Sequence, residues 1–185
     1  MKTTGMTLAT IVVCLIVSVA HAQRAASTKV LGTAYDMWSS GVYLNHALDH
    51  SRVMRSYGAA SEEVPQEVAR RHSEAARNSL TAAKASYDSL AKAHPDDQVV
   101  AGHLATLNEH HAAALDALDK VDAASANGPA KGKAVARHSA AASRALRKAK
   151  MEHNKLMKHL KVENPTAGGK GKGGKGKKKA KAEAA

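Results

Sequence analysis

The chain has 185 residues, no phenylalanine, one tryptophan, four tyrosines and one cysteine, and carries a formal net charge of +12. A single cysteine excludes an internal disulfide framework and thiolate metal clusters, and no C-x-x-C-H run exists for covalent haem. Alanine is abundant while alternating β-branched runs are missing, and no Asn-Gly or Asp-Gly turn joins two such runs, so the expected class is all-α, with helices packed closely through small side chains.

The chain opens with Lys2, an apolar run from Leu8 to Val19, and Ala20-His21-Ala22 before Gln23. This is the pattern of a secretory leader over residues 1–22, with an apolar run too short to span a membrane well. A periplasmic or secreted location follows as the expectation. Cys14 would leave with the leader, so the mature chain would enter an oxidising compartment without a cysteine.

Residues 23–164 read as one four-helix unit. The first helix is expected over about Ser27 to Tyr57, with an apolar face of Leu31, Ala34, Tyr35, Trp38 and Val42. Beyond Gly41 that face moves round to Tyr43, His46, Ala47, His50, Val53, Met54 and Tyr57. A jump at Ser39-Ser40-Gly41 predicts a break or kink near Gly41. The second helix is expected from Glu62 to Ala93, capped by Ser61, with Val68, His72, Ala76, Ala83, Tyr87 and Leu90 on one face. Pro95-Asp96-Asp97 separates it from the third, whose face is Val100, Leu104, Leu107, His111, Leu115 and Leu118. Ala126 to Pro129 makes the next turn. The fourth helix is expected from Ala130 to Val162, on Val135, His138, Ala142, Leu146, Ala149, His153, Leu156 and Leu160, with Lys and Arg crowding its other faces. Short connections between helices of similar length favour an antiparallel up-down bundle over a dimer of helical hairpins.

From Pro165 to Ala185 the composition changes to glycine, alanine and lysine. Lys170, Lys172, Lys175, Lys177, Lys178, Lys179 and Lys181 stand against one glutamate, which is half the net charge of the chain. With no large apolar residue, this segment is expected to be a disordered tail. In composition it resembles the tails of linker histones. Its natural partner is an anionic surface or polyanion.

Ten histidines remain after His21, and several sit on apolar faces. His46, His50, His72, His111 and His138 are expected about twelve, eight, ten, thirteen and eight residues from the shared end of the bundle. At 1.5 Å per residue these heights span roughly 8 Å, so the five could line one layer of the core. Neutral imidazoles facing each other across a bundle suit a transition metal such as zinc, copper or nickel, and the first expectation is therefore an exported metal-binding bundle. The alternative is that these histidines are structural and that the bundle binds polyanions through its tail. A lesser alternative is a b-type haem bundle using Met37 and His153. No Glu-x-x-His pair, nucleophile-base arrangement or phosphate-binding glycine loop is present, which points to a non-enzymatic protein.

Overall fold

The computed structural model describes residues 5–163, with side chains from Thr28 onward. The side chains of the expected leader and the whole of the expected tail lie outside the described residues. Four helices build the fold: α1 (Gly5–Ala60), α2 (Gln66–Ala93), α3 (Gln98–Ser125) and α4 (Gly132–His159). Two strands of two residues each, β1 (Glu63–Val64) and β2 (Ala130–Lys131), pair antiparallel. No helix among the described residues is long and apolar enough to cross a membrane.

Side-chain bonds fix the directions. Ser39 meets Ser86 and Thr33 meets His94, so α1 and α2 are antiparallel. Arg77 meets Asp119 and Asp122 between α2 and α3, and His103 meets Glu152 between α3 and α4. The bundle is up-down-up-down, and α2 and α3 approach each other least closely of the sequential neighbours. The α1–α2 and α3–α4 connections lie at one end, where β1 and β2 clasp them together through Glu63 opposite Lys131 and Val64 opposite Ala130.

The first helix is continuous through Gly41, contrary to the expected break. Its buried line is Thr33, Met37, Ser40, Leu44, Ala47, Leu48, Ser51 and Met54. Leu31, Tyr35, Trp38 and Val42 face outward, Tyr35 with 69% of its surface exposed. The apparent jump arises because serine and alanine occupy much of the inward face. Serine is tolerated there because its hydroxyl bonds its own helix: Ser40 donates to Asp36 O at 2.7 Å and Ser51 to Ala47 O at 2.9 Å. Gly41 serves packing. A Cβ there would lie 2.9 Å from Nε2 of His153, so the glycine makes room for a buried ring on α4.

The second helix starts at Gln66, four residues later than expected, because Glu63 and Val64 are spent on the strand pair and Pro65 takes the N-cap position. Val64 is buried in that clasp. The third begins on Asp97, whose carboxylate accepts the amides of Val99 and Val100, both at 3.0 Å, and also bonds His159 at 3.0 Å. One carboxylate thus caps α3 and ties it to the end of α4.

That end of α4 closes in a Schellman turn. Val162 N donates to Met157 O at 2.9 Å and Lys161 N to Lys158 O at 3.2 Å, with Lys161 at φ 54°. Trp38 Nε1 donates to Glu163 O at 2.9 Å and pins the segment to α1. A lysine in this left-handed conformation is strained where glycine is not, so Lys161→Gly should raise stability by about 0.5–1 kcal/mol. A urea midpoint at or below that of the parent would show that the turn is not strained at Lys161.

Candidate functional site

The structure brings together two of the five histidines expected in one layer. His50 on α1 and His72 on α2 meet with Nδ1 to Nδ1 at 3.1 Å, ring centroids 5.4 Å apart and planes tilted by 47°. Both are partly buried, and burial, with His50 opposite, holds His72 below the usual imidazole range. The other three stand apart from them. His46 is exposed on α1. His138 is partly buried beside Arg137, its Nε2 3.4 Å from the guanidinium, and burial also lowers its pKa. His111 is buried on α3, its ring 5.6 Å from that of Tyr87. Among the described residues no three His, Cys, Asp or Glu side chains gather as a metal-ligand group.

Two displacements explain why one layer does not form. The helix ends differ from those expected: His46 and His111 stand about fourteen residues from Ala60 and Ser125, while His72 and His138 stand about six from Gln66 and Gly132. The heights therefore spread over roughly 12 Å. In addition, one residue of register turns a helix face by about 100°. The inward position near His72 belongs to Ser73, and that near His138 belongs to Ser139.

The histidines that do enter the core are His111 and His153. His153, sought as a haem ligand with Met37, has its Nδ1 3.0 Å from the Tyr87 hydroxyl and its Nε2 directed at Gly41. Both ring nitrogens of His111 lack a partner among the described residues, as do the hydroxyls of Ser139 and Ser143. Burial is the main cause that pushes both histidines down to about 4, aided at His111 by His110 and Lys84 and at His153 by Lys150. Burial likewise raises the Tyr87 phenol, with Ser40 opposing. The serines nearest the expected inward histidines do not serve them as hydrogen-bond partners. Instead Ser51 and Ser79 bond Ala47 and Ala75, Ser73 bonds Asp122 and Arg70, and Ser139 bonds nothing described.

A different feature dominates the surface. Lys133, Arg137, Arg144, Arg147, Lys148, Lys155 and Lys158 are all exposed on α4. Three pairs in this set, Lys133 and Arg144, Arg137 and Lys148, Arg147 and Lys158, are separated by eleven residues, close to three full turns, and Lys155 continues the first line. All seven fall within an arc of about 100°, a straight cationic line roughly 37 Å long. Several cations on the other helices are matched by neighbouring acids, Arg52 by Asp49, Arg70 by Glu67 and Glu74, Lys84 by Asp88 and Lys120 by Asp116, while Arg55, Arg71 and Lys92 stand singly and form no comparable line. On α4 the single acid, Glu152, is turned inward to His103 and reaches only Lys155 of the line. Its carboxyl is held below the usual range by Lys155 and then His103. The eleven-residue spacing was readable in the sequence. Which way it faced was not, until the inward line of α4 was known.

No protein-family model, curated protein or solved structure matches this chain. The fold and surface define a small helical bundle with one cationic face, and its function has to be argued from its own residues.

Proposed function

We propose that the protein binds the phosphate backbone of duplex nucleic acid through the outward face of α4, with the lysine-rich segment after Pro165 adding contacts. The observation that carries this reading is the line of seven exposed cations, six of them without an ion pair among the described residues. Unpaired, regularly spaced cations suit a rod of regularly spaced anions, where each contact releases condensed counterions. About eleven base pairs would lie along the line. A single strand is less suited, since no aromatic side chain is interleaved on this face for bases to stack upon. An anionic membrane is less suited because Met151 is the one large apolar residue in the line. Backbone contacts of this type position a protein and carry no sequence information, so binding should be indifferent to base sequence. We assign no catalytic role.

Binding of the full chain to a mixed-sequence 20-base-pair duplex, followed by fluorescence polarisation, should weaken steeply as NaCl rises. Replacing Arg137, Arg144, Arg147 and Lys148 together by glutamine should lower affinity at least tenfold and flatten the salt slope. Deleting residues 168–185 should lower affinity further and leave the melting temperature within about a degree, since that segment has no large apolar side chain to pack. Unchanged binding by the quadruple variant, or tighter binding to anionic vesicles than to the duplex, would overturn the reading.

A further inference from the structure

We propose that His50 and His72 form a two-imidazole seat for a divalent transition-metal ion, copper(II) in particular, at the seam between α1 and α2. The seam is independent of the cationic face of α4. Two cis imidazole nitrogens on a tetragonal copper(II) ion, each at about 2.05 Å, lie about 2.9 Å apart. The observed 3.1 Å between the two Nδ1 atoms is within ~0.2 Å of that spacing, so the rings need to rotate toward an ion but not to separate. The separation is itself set by the fold, because α1 and α2 are packed along the whole hairpin and Ser39 to Ser86 fixes their register further along.

Without a metal, the contact requires one ring to carry its proton on Nδ1 and donate it to the bare Nδ1 of the other. An ion between the rings needs lone pairs on both. The donating ring therefore moves its proton from Nδ1 to Nε2, both rings stay neutral, and no net proton is released. Both rings are only partly buried, which leaves water able to complete the coordination shell. His46, one helical turn before His50 and exposed, is not gathered with the pair and would have to swing toward it to serve as a third donor. The setting also selects the ion. Arg71 adjoins His72, and only two ligands are in place, so a weakly bound cation gains too little. Copper(II) stands highest in affinity for nitrogen donors among the divalent first-row ions.

The test is titration of the full chain with copper(II) chloride, followed by electron paramagnetic resonance and by tryptophan fluorescence, with thermal melts as a folding control. One equivalent should bind with a spectrum showing at least two nitrogen donors. His50→Asn and His72→Asn should each weaken binding at least tenfold while melting like the parent, and His46→Ala should weaken it about threefold. His94→Ala and His159→Ala, at the opposite end of the bundle, should bind as the parent does. If His50→Asn and His72→Asn retain the parent's affinity and spectrum, the seat is not there. If either asparagine variant unfolds, the double nitrogen signature in the parent, lost on His46→Ala alone, would equally overturn the assignment.

Discussion

Acidification from pH 7 to pH 4 is expected to remove most of the bundle's stability, and two buried histidines set the size of the effect. The pKa values of His111 and His153 are pushed down to about 4 by burial, against about 6.5 in an unfolded chain. Above pH 6.5 both rings are neutral in both states, and neither contributes a pH dependence. Between pH 6.5 and 4 only the unfolded chain takes up these protons, so stability falls as pH falls. Below about 4 the native rings protonate as well and this contribution levels off. A difference of about 2.5 units corresponds to roughly 3 kcal/mol per histidine. Together they match the lower end of the stability of an ordinary domain, about 5–15 kcal/mol. Urea midpoints measured from pH 7.5 to 4 should therefore drop steeply below pH 6.5.

The same argument says what the variants should do. His111→Leu removes one titrating ring and also a pair of buried nitrogens without partners among the described residues, whose burial costs about 1–3 kcal/mol. It should be more stable than the parent at pH 7.5 and should lose about half of the acid sensitivity. His153→Leu should likewise lose acid sensitivity. It should gain less at neutral pH, because the Tyr87 hydroxyl would lose its partner on α4. If both variants keep the parent's pH profile, carboxylates such as Glu152 and Asp97, not these histidines, govern the acid transition.

How much of this could be read from the sequence varied with the size of the inward side chains. On α3, Val100, Leu104, Leu107, His111 and Leu118 are large, regularly spaced and buried, and the helix is as expected. On α1 the hydrophobic pattern is blurred. Its inward line interleaves Met37, Leu44, Leu48 and Met54 with Thr33, Ser40, Ala47 and Ser51, whereas Tyr35, Trp38, Val42 and Val53 lie on the outside. Periodicity in hydrophobicity misplaces a face half of whose positions are small or polar residues while large apolar ones stand opposite. The histidine layer was harder still, because it required helix ends correct to a turn and faces correct to one residue. Neither precision is available where Ser73 and Ser139 compete with His72 and His138 for the inward position. The clasp of β1 and β2 left no signal at all, since two residues per strand are too few to alternate.

The crossing of α1 over the start of α4 should prove the least tolerant place in the fold. A Cβ built on Gly132 would lie inside the carbonyl oxygen of Ser61 and only 2.6 Å from that of Gly58. Across the same gap, Gly132 N donates to Glu62 O at 2.7 Å. A Cβ on Gly58 would meet Gly132 O at 2.6 Å and Ala136 N at 2.8 Å. The obstructing atoms are backbone, so no side chain can rotate away. Relief would require separating the two helices just where β1 and β2 hold their ends together. Overpacking in a rigid core costs about 1–3 kcal/mol, and here the upper end or more is expected. Gly132→Ala and Gly58→Ala should therefore each lower the melting temperature by roughly 10 °C. Gly102 supplies the control. It lies inside α3 with nothing within 4 Å of an added Cβ, so Gly102→Ala should stabilise by about 0.5–1 kcal/mol through helix propensity alone. Substitutions of identical chemistry would then shift the transition in opposite directions. A Gly132→Ala protein that melts with the parent would mean that the crossing is wider than the backbone contacts between Gly58, Ser61 and Gly132 allow.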